Sequence, residues 1–282
     1  MKKITNHTGW IKSLLSFFLL FVPQIFGGIF LLLLGFDLSK MSEGNIDLNM
    51  MITLEYSMIF TMGIMLWLFM KFIDKQPLIE IGLETKGRLK EFNYGIILGL
   101  LIMAFAYVFL YLIGEIVFKN YNFDLQKIFL SIVLFMGVSI FEEVIFRGYM
   151  LKNLLESFNP YVALFISSIF FSLIHGSNPN VTTLGLCNIF LAGFFLGASY
   201  IFTKNLWFPI ALHFSWNFFQ SMFGFKVSGL DSYSIIDFSI PENNLLNGGE
   251  FGFESSFLSI IILIIGTFII WNYFKKNHLE KS

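Results

Sequence analysis

Glu142, Glu143 and Arg147 fall within one apolar run, Ser139-Ile140-Phe141-Glu142-Glu143-Val144-Ile145-Phe146-Arg147. A charge near the centre of a membrane helix costs ~2.5–3.5 kcal/mol on insertion scales, so three together cost on the order of 8 kcal/mol before compensation. Two of them compensate each other. Glu143 and Arg147 stand at i and i+4 with the acid N-terminal to the base, the favourable order on a helix. Glu142 is rotated about 100° from its neighbour and keeps no local partner. An ion pair that only fastens helices would account for Glu143 and Arg147, but not for Glu142. Later runs carry His175, and then His213 with Asn217 one turn on along the same face. The other histidines, His7 and His278, sit in the tails.

A carboxylate and two imidazoles in a partly wet cavity have the parts for hydrolysis. Glu142 can take a proton from water. Alternatively Glu142, His175 and His213 can hold a divalent metal such as zinc that acidifies a bound water. His and Asn side chains can donate to the oxyanion formed when a carbonyl is attacked. No His-Glu-x-x-His, Gly-Leu-Gly-Asp or Gly-x-Ser-x-Gly occurs, which argues against the zinc-helix, aspartyl and serine solutions. Spacing alone leaves an intramembrane hydrolase and an ion-coupled carrier both open.

The elements that position these groups must be membrane helices. Hydrophobic residues make up 56% of the 282, charged residues 13%, and mean hydropathy is +0.74. The apolar residues come in runs of about 18 or more. The expected fold is therefore all-α and polytopic, one integral membrane domain over 1–282. Spans are expected at 10–35, 50–72, 93–118, 127–155, 160–175, 183–203, 206–225 and 256–274, with the site among spans four to seven. Lys-Lys near the start, followed by a long apolar run without a small-residue cleavage site, reads as a retained first helix. With that end inside, only Lys40, Lys119, Lys127 and Lys226 of the 18 Lys and Arg fall outside. The positive-inside rule then places both termini in the cytoplasm. The segment 226–255 is the longest external loop. A net charge of -1 without a basic block excludes nucleic acid as a partner, and one cysteine excludes an intramolecular disulfide. Glu55 and Asn188 are expected to hydrogen-bond between helices, Cys187 to pack, and Glu115 to reach headgroups.

Depth offers a test. Glu142 lies about 16 residues before the turn near Phe158-Asn159 and His175 about 16 after it, so a helical hairpin brings both to roughly 24 Å from the turn. Counting from the turn near Lys204-Asn205 leaves His213 shallower, with Pro209 able to kink or shift its helix.

These residues resemble the CPBP family, the CAAX proteases and bacteriocin-processing enzymes also called Abi. The pattern is Glu-Glu-x-x-x-Arg, Phe-x-x-x-His and His-x-x-x-Asn on successive helices, here Glu142-Glu143 with Arg147, Phe171 with His175, and His213 with Asn217. The run Leu191 to Tyr200, followed by Leu206-Trp207-Phe208-Pro209-Ile210, is also similar, and its Gly193 and Gly197 suit close helix packing. The resemblance covers residues 90–225, a protease-like core. It implies an intramembrane endopeptidase acting on a peptide or membrane-protein substrate, with Glu142 as catalytic base and His175, His213 and Asn217 around the water or oxyanion. Glu143 and Arg147 would support them, by a metallo- or glutamate-type mechanism. It further implies bacteriocin processing or self-immunity, and a composition rich in Phe, Ile, Asn and Lys suggests a bacterial cell membrane. The rival readings are a non-catalytic scaffold or immunity protein that binds a toxin or partner, and a proton-coupled carrier.

Overall fold

The structure is a computed structural model that describes residues 8–37 and 47–279. Lys2, Lys3, Lys40, Lys281 and His7, used above, lie outside the described residues, as does the His278 side chain. Among the described residues, seven helices are long and apolar enough to cross a membrane. They are α1 (Gly9–Leu33), α2 (Leu48–Asp74), α3 (Leu89–Leu112), α4 (Leu125–Ser157), α5 (Pro160–Ser177), α6 (Thr183–Thr203) and, after a further helix, α8 (Phe257–Asn277). The fold is that of an all-α polytopic membrane protein, as composition requires.

The expected seventh span is a real helix of a different kind. α7 (Trp207–Met222) has 16 residues, too few to cross unaided, and all but two are buried inside the protein. Its start explains the shortfall. The α6–α7 turn is packed into the protein, with Asn205 and Leu206 buried. Asn205 Nδ2 donates to Glu84 O at 2.7 Å, and Leu206 N donates to Gly82 O at 2.9 Å. The segment between α2 and α3 thus packs against the start of α7 and holds it. A helix wrapped by other helices need not match the bilayer, because its polar groups are satisfied by protein.

Local chemistry sets the other boundaries. Asp47, Asp124, Asn159 and Thr182 accept backbone N–H groups at the starts of α2, α4, α5 and α6, and Pro160 follows the third of these caps. α1 and α2 are pinned by Lys12 Nζ and Asp74 Oδ1 at 2.8 Å. α3 lies on α7 through Gly95 and Gly99. A Cβ added at Gly99 would stand 2.8 Å from Trp216 N, and Ser215 Oγ donates to Ile96 O at 2.6 Å beside it. Gly193 and Gly197 of α6 do the same against Ser168 and Leu164 of α5.

The segment expected as an external loop is ordered. β2 (Ile236–Ser239) pairs antiparallel with β1 (Val117–Tyr121), and short 3-10 turns follow. Glu115, at the outer end of the expected third span, accepts from Asn244 and Asn247 at 2.6 and 2.8 Å and ties this segment down. Cys187, expected to pack, is exposed. Asn188 is a hydrogen-bonding residue as expected, but it ties α6 to the segment before α8 and not to another membrane helix, donating to Glu254 O and Ser256 O at 2.8 and 2.9 Å.

Candidate active site

α4 changes its winding at the site. It is α-helical through Glu143 and then π-helical from Val144 to Leu151. Such wide turns are rare and gather at functional sites, since each extra residue re-aims the side chains around it. Arg147 lies within this turn and still meets Glu143, Nη1 to Oε1, at 2.7 Å, so the expected ion pair forms. Arg147 is 1% exposed, and its two terminal nitrogens are engaged while Nε is left without a hydrogen bond. Nη2 donates to Gly193 O at 3.2 Å, and the guanidinium lies 4.4 Å from the centre of the Phe171 ring. Gly193 therefore serves twice, as a close-packing residue and as the carbonyl that receives the arginine.

Glu143 reaches further than its expected role. Its Oε1 also meets His213 Nδ1 at 2.8 Å, so a chain runs from Arg147 through Glu143 to the imidazole. With its carboxylate paired to arginine, Glu143 is the acceptor and His213 Nδ1 carries the proton. His175 is fixed in the same sense, its Nδ1 lying 2.8 Å from Phe171 O, a group that can only accept. Each ring therefore has a bound Nδ1–H and turns Nε2 elsewhere. Both turn it to Glu142. His175 Nε2 is 4.0 Å from Glu142 Oε1, and His213 Nε2 is 3.9 Å from Oε2. Glu142 Oε2 makes no hydrogen bond within the protein.

The hairpin depth count holds for Glu142 and His175. His213 comes level with Glu142 despite its shallower count, its Nε2 3.9 Å from Glu142 Oε2. Asn217 follows one turn later and lines the same cavity, of about 770 Å³. Phe171 holds the rings apart, its centre 5.2 Å from that of His175 and 6.1 Å from that of His213.

Three further acids line this cavity and carry no motif, Glu55, Glu254 and the exposed Asp231. Glu55 of α2 is 7% exposed, and its Oε1 is buried without a hydrogen bond, so it is not the interhelical fastener expected. Glu254 comes from the α7–α8 segment. Its Oε2 accepts from Ser228 N and Oγ at 2.6 and 2.9 Å. Ser228 O takes Asn178 Nδ2 at 2.9 Å, and Asn178 N donates to His175 O at 3.1 Å. Burial pushes the Glu254 carboxyl up from its ordinary range, against the pull of its Ser228 bonds and of His175. A charge buried in span two is the sequence signal that could have raised Glu55; Glu254 sits in a polar loop and gives none.

Glu142, His175 and His213 are the ligand types a zinc ion takes. Their spacing is wider than such a site requires, and no group of three His, Cys, Asp or Glu among the described residues stands close enough to hold an ion.

Residues 124–219 match the family of type II CAAX prenyl endopeptidases described as Rce1-like, which agrees with the CAAX-protease resemblance of the motifs. The matched stretch contains Glu142, Glu143, Arg147, His175, His213 and Asn217, and excludes Glu55 and Glu254. It supports an intramembrane endopeptidase. No curated protein and no solved structure matches the chain.

Proposed function

We propose that this chain is a glutamate-type intramembrane endopeptidase in which Glu142, assisted by two oriented imidazoles, activates water for attack on a peptide bond. The observation that carries this is the pair of gaps, 4.0 and 3.9 Å, between Glu142 and the Nε2 atoms of His175 and His213. They are too long for direct hydrogen bonds and suit one bridging water. Both Nδ1 atoms are bonded as donors, so each neutral ring offers Nε2 as an acceptor. A water that donates one proton to Glu142 and the other to an imidazole has its lone pairs left to face the substrate carbonyl.

Attack then follows from the same geometry. The water oxygen bonds to the carbonyl carbon, and its proton passes to Glu142. The oxyanion receives a hydrogen bond from the Asn217 side-chain amide, while the neutral imidazoles, acceptors at Nε2, hold the hydroxyl that the water has become. Collapse breaks the C–N bond, and the proton held by Glu142 goes to the leaving amine. Glu143, already shared between Arg147 and His213, holds the His213 ring in place. It does not touch the reacting atoms.

Donor spacing favours this route over a metal-held water, and no step here passes through an ion. Dialysis of the purified protein against a tight chelator should leave its cleavage rate unchanged within about twofold. Loss of activity restored by zinc would overturn the glutamate assignment.

The direct test of function compares new N-termini in membranes from cells making wild type and Glu142→Gln at equal levels. Termini found only with wild type establish proteolysis and identify the substrate. They also decide between bacteriocin maturation, self-immunity and cleavage of another membrane protein. If both chains are abundant and none appears, the endopeptidase reading fails in favour of a binding or immunity role.

A further inference from the structure

The cavity around Glu142 is lined by three more acids, Glu55 from α2 and Asp231 and Glu254 from the α7–α8 segment. No lysine or arginine among the described residues lines it. Asp231 is exposed, and Glu254 is engaged by Ser228. Glu55 differs from both. It is more than nine-tenths buried, and Oε1 makes no hydrogen bond. Buried polar atoms are nearly always paired, so Glu55, like Glu142 an acid of this cavity's wall with an unpaired oxygen, lacks a partner that a group from outside the chain can supply.

Packing does not explain it. α2 is already fastened to α4 by the Tyr56 hydroxyl, which donates to Val133 O at 3.0 Å. The Glu55 stem runs across Gly137, where an added Cβ would lie 2.9 Å from Glu55 Cγ. Gly137 thus leaves room for the acid to lie along α4, five residues before Glu142. Around it the cavity wall is apolar, with Met51, Leu54, Leu134 and Val138.

An acid at the end of an apolar wall matches a long basic side chain, whose methylenes take the wall while its head takes the charge. We propose that the cavity selects peptides with a lysine or arginine near the scissile bond, the cationic head pairing with Glu55 and the stem lying along Leu54, Leu134 and Val138. This rests on the endopeptidase reading for the position of the cut, but the cation site itself does not. Glu254 and Asp231 add to a negative potential that draws such a peptide in. The same field works against a substrate that presents an acidic side chain or a free terminal carboxylate.

The test uses the full chain in nanodiscs and fluorescein-labelled apolar peptides in which a single residue is walked through the sequence as Lys, Arg, norleucine or Glu. At the best position, Lys and Arg should bind about tenfold more tightly than norleucine, equivalent to ~1.4 kcal/mol, and Glu more weakly than either. Glu55→Gln should erase the preference of Lys over norleucine. Equal binding of Lys and norleucine by wild type overturns the proposal without reliance on any variant. A preference that survives in folded Glu55→Gln overturns the assignment to Glu55. The same peptides are then scored for cleavage. Cuts by wild type at a fixed distance from Lys support both readings. Cuts indifferent to Lys sink the cation site alone. Tight binding of Lys with no cut sinks the endopeptidase reading and leaves the cation site standing.

Discussion

The two sides of the cavity are braced to different degrees, although each keeps carboxylate oxygens without a partner in the protein, Glu142 Oε2 and Glu143 Oε2 on one and Glu55 Oε1 on the other. On one side, α4 to α7 present Glu142, His175 and His213, and the groups behind them are braced. Arg147, Glu143, the Gly193 carbonyl and His213 are joined by contacts of 2.7 to 3.2 Å, with Phe171 packed against the guanidinium and both rings. On the other, α2 and the α7–α8 segment present Glu55, with an oxygen bound to nothing in the protein, and Glu254, held by a serine in the left-handed region at φ 49°. Chemistry needs reacting groups held within a fraction of an ångström, which takes a dense second layer of partners. Recognition can keep a bond unmade until the guest supplies it. The braced side falls within residues 124–219, and the unbraced side lies outside them.

That contrast orders what substitutions should do. The largest effect belongs to Glu142→Gln, which keeps the shape and removes the base. Cleavage should fall by at least about 10²–10⁴-fold with an unchanged melting temperature. Cleavage within tenfold of wild type by the purified variant would remove Glu142 from the reaction. Next comes Arg147→Ala, which strands Glu143 in the interior. It should destabilise the fold by about 3–5 kcal/mol, read as a lower melting temperature and poor yield in detergent. An unchanged melt would show that the brace carries no stability.

Gly193→Ala should cost less, about 1–3 kcal/mol, because its new Cβ would sit 2.8 Å from Ser168 Cα and must push α6 from α5. Since Gly193 also receives Arg147, a shift there should lower activity together with stability. Activity retained at full level in a destabilised variant would separate the two roles.

On the unbraced side the expected effect is smallest and depends on pH. Burial raises the folded-state pKa of Glu254. Between the unfolded and the raised folded value the folded chain binds more protons, so stability falls as pH rises through that window. Glu254→Gln should therefore melt slightly higher than wild type at alkaline pH, and the gap should close as pH drops into the ordinary carboxylate range. A gap that widens on acidification would mean that the Ser228 bonds, not burial, dominate this carboxylate.

Some of the site was legible before any fold was known, and for identifiable reasons. Glu143 and Arg147 are four residues apart on one helix, so local geometry alone pairs them. Glu142 and His175 lie equally far from one turn, so a hairpin brings them level. Glu55 was visible only as a charge out of place, because nothing local says which cavity a lone acid will line. Glu254 was invisible, since an acid in a polar segment costs nothing to explain. The π-helical turn after Glu143 was missed as well, for a change of winding leaves the apolar pattern of a fully buried helix intact.

The sequence by itself determined that the chain crosses a membrane many times, because long apolar runs have only one cheap solvent. It also determined which charges would be forced inside, and which two would pair. The tertiary structure alone decided that the start of α7 is held by the Glu84 and Gly82 carbonyls, and that His213 comes within 3.9 Å of Glu142. It alone decided that a distant loop and the second helix complete the cavity. Both outcomes rest on hydrogen bonds and close packing between residues far apart in the chain, and the periodicity of a single helix carries no record of them.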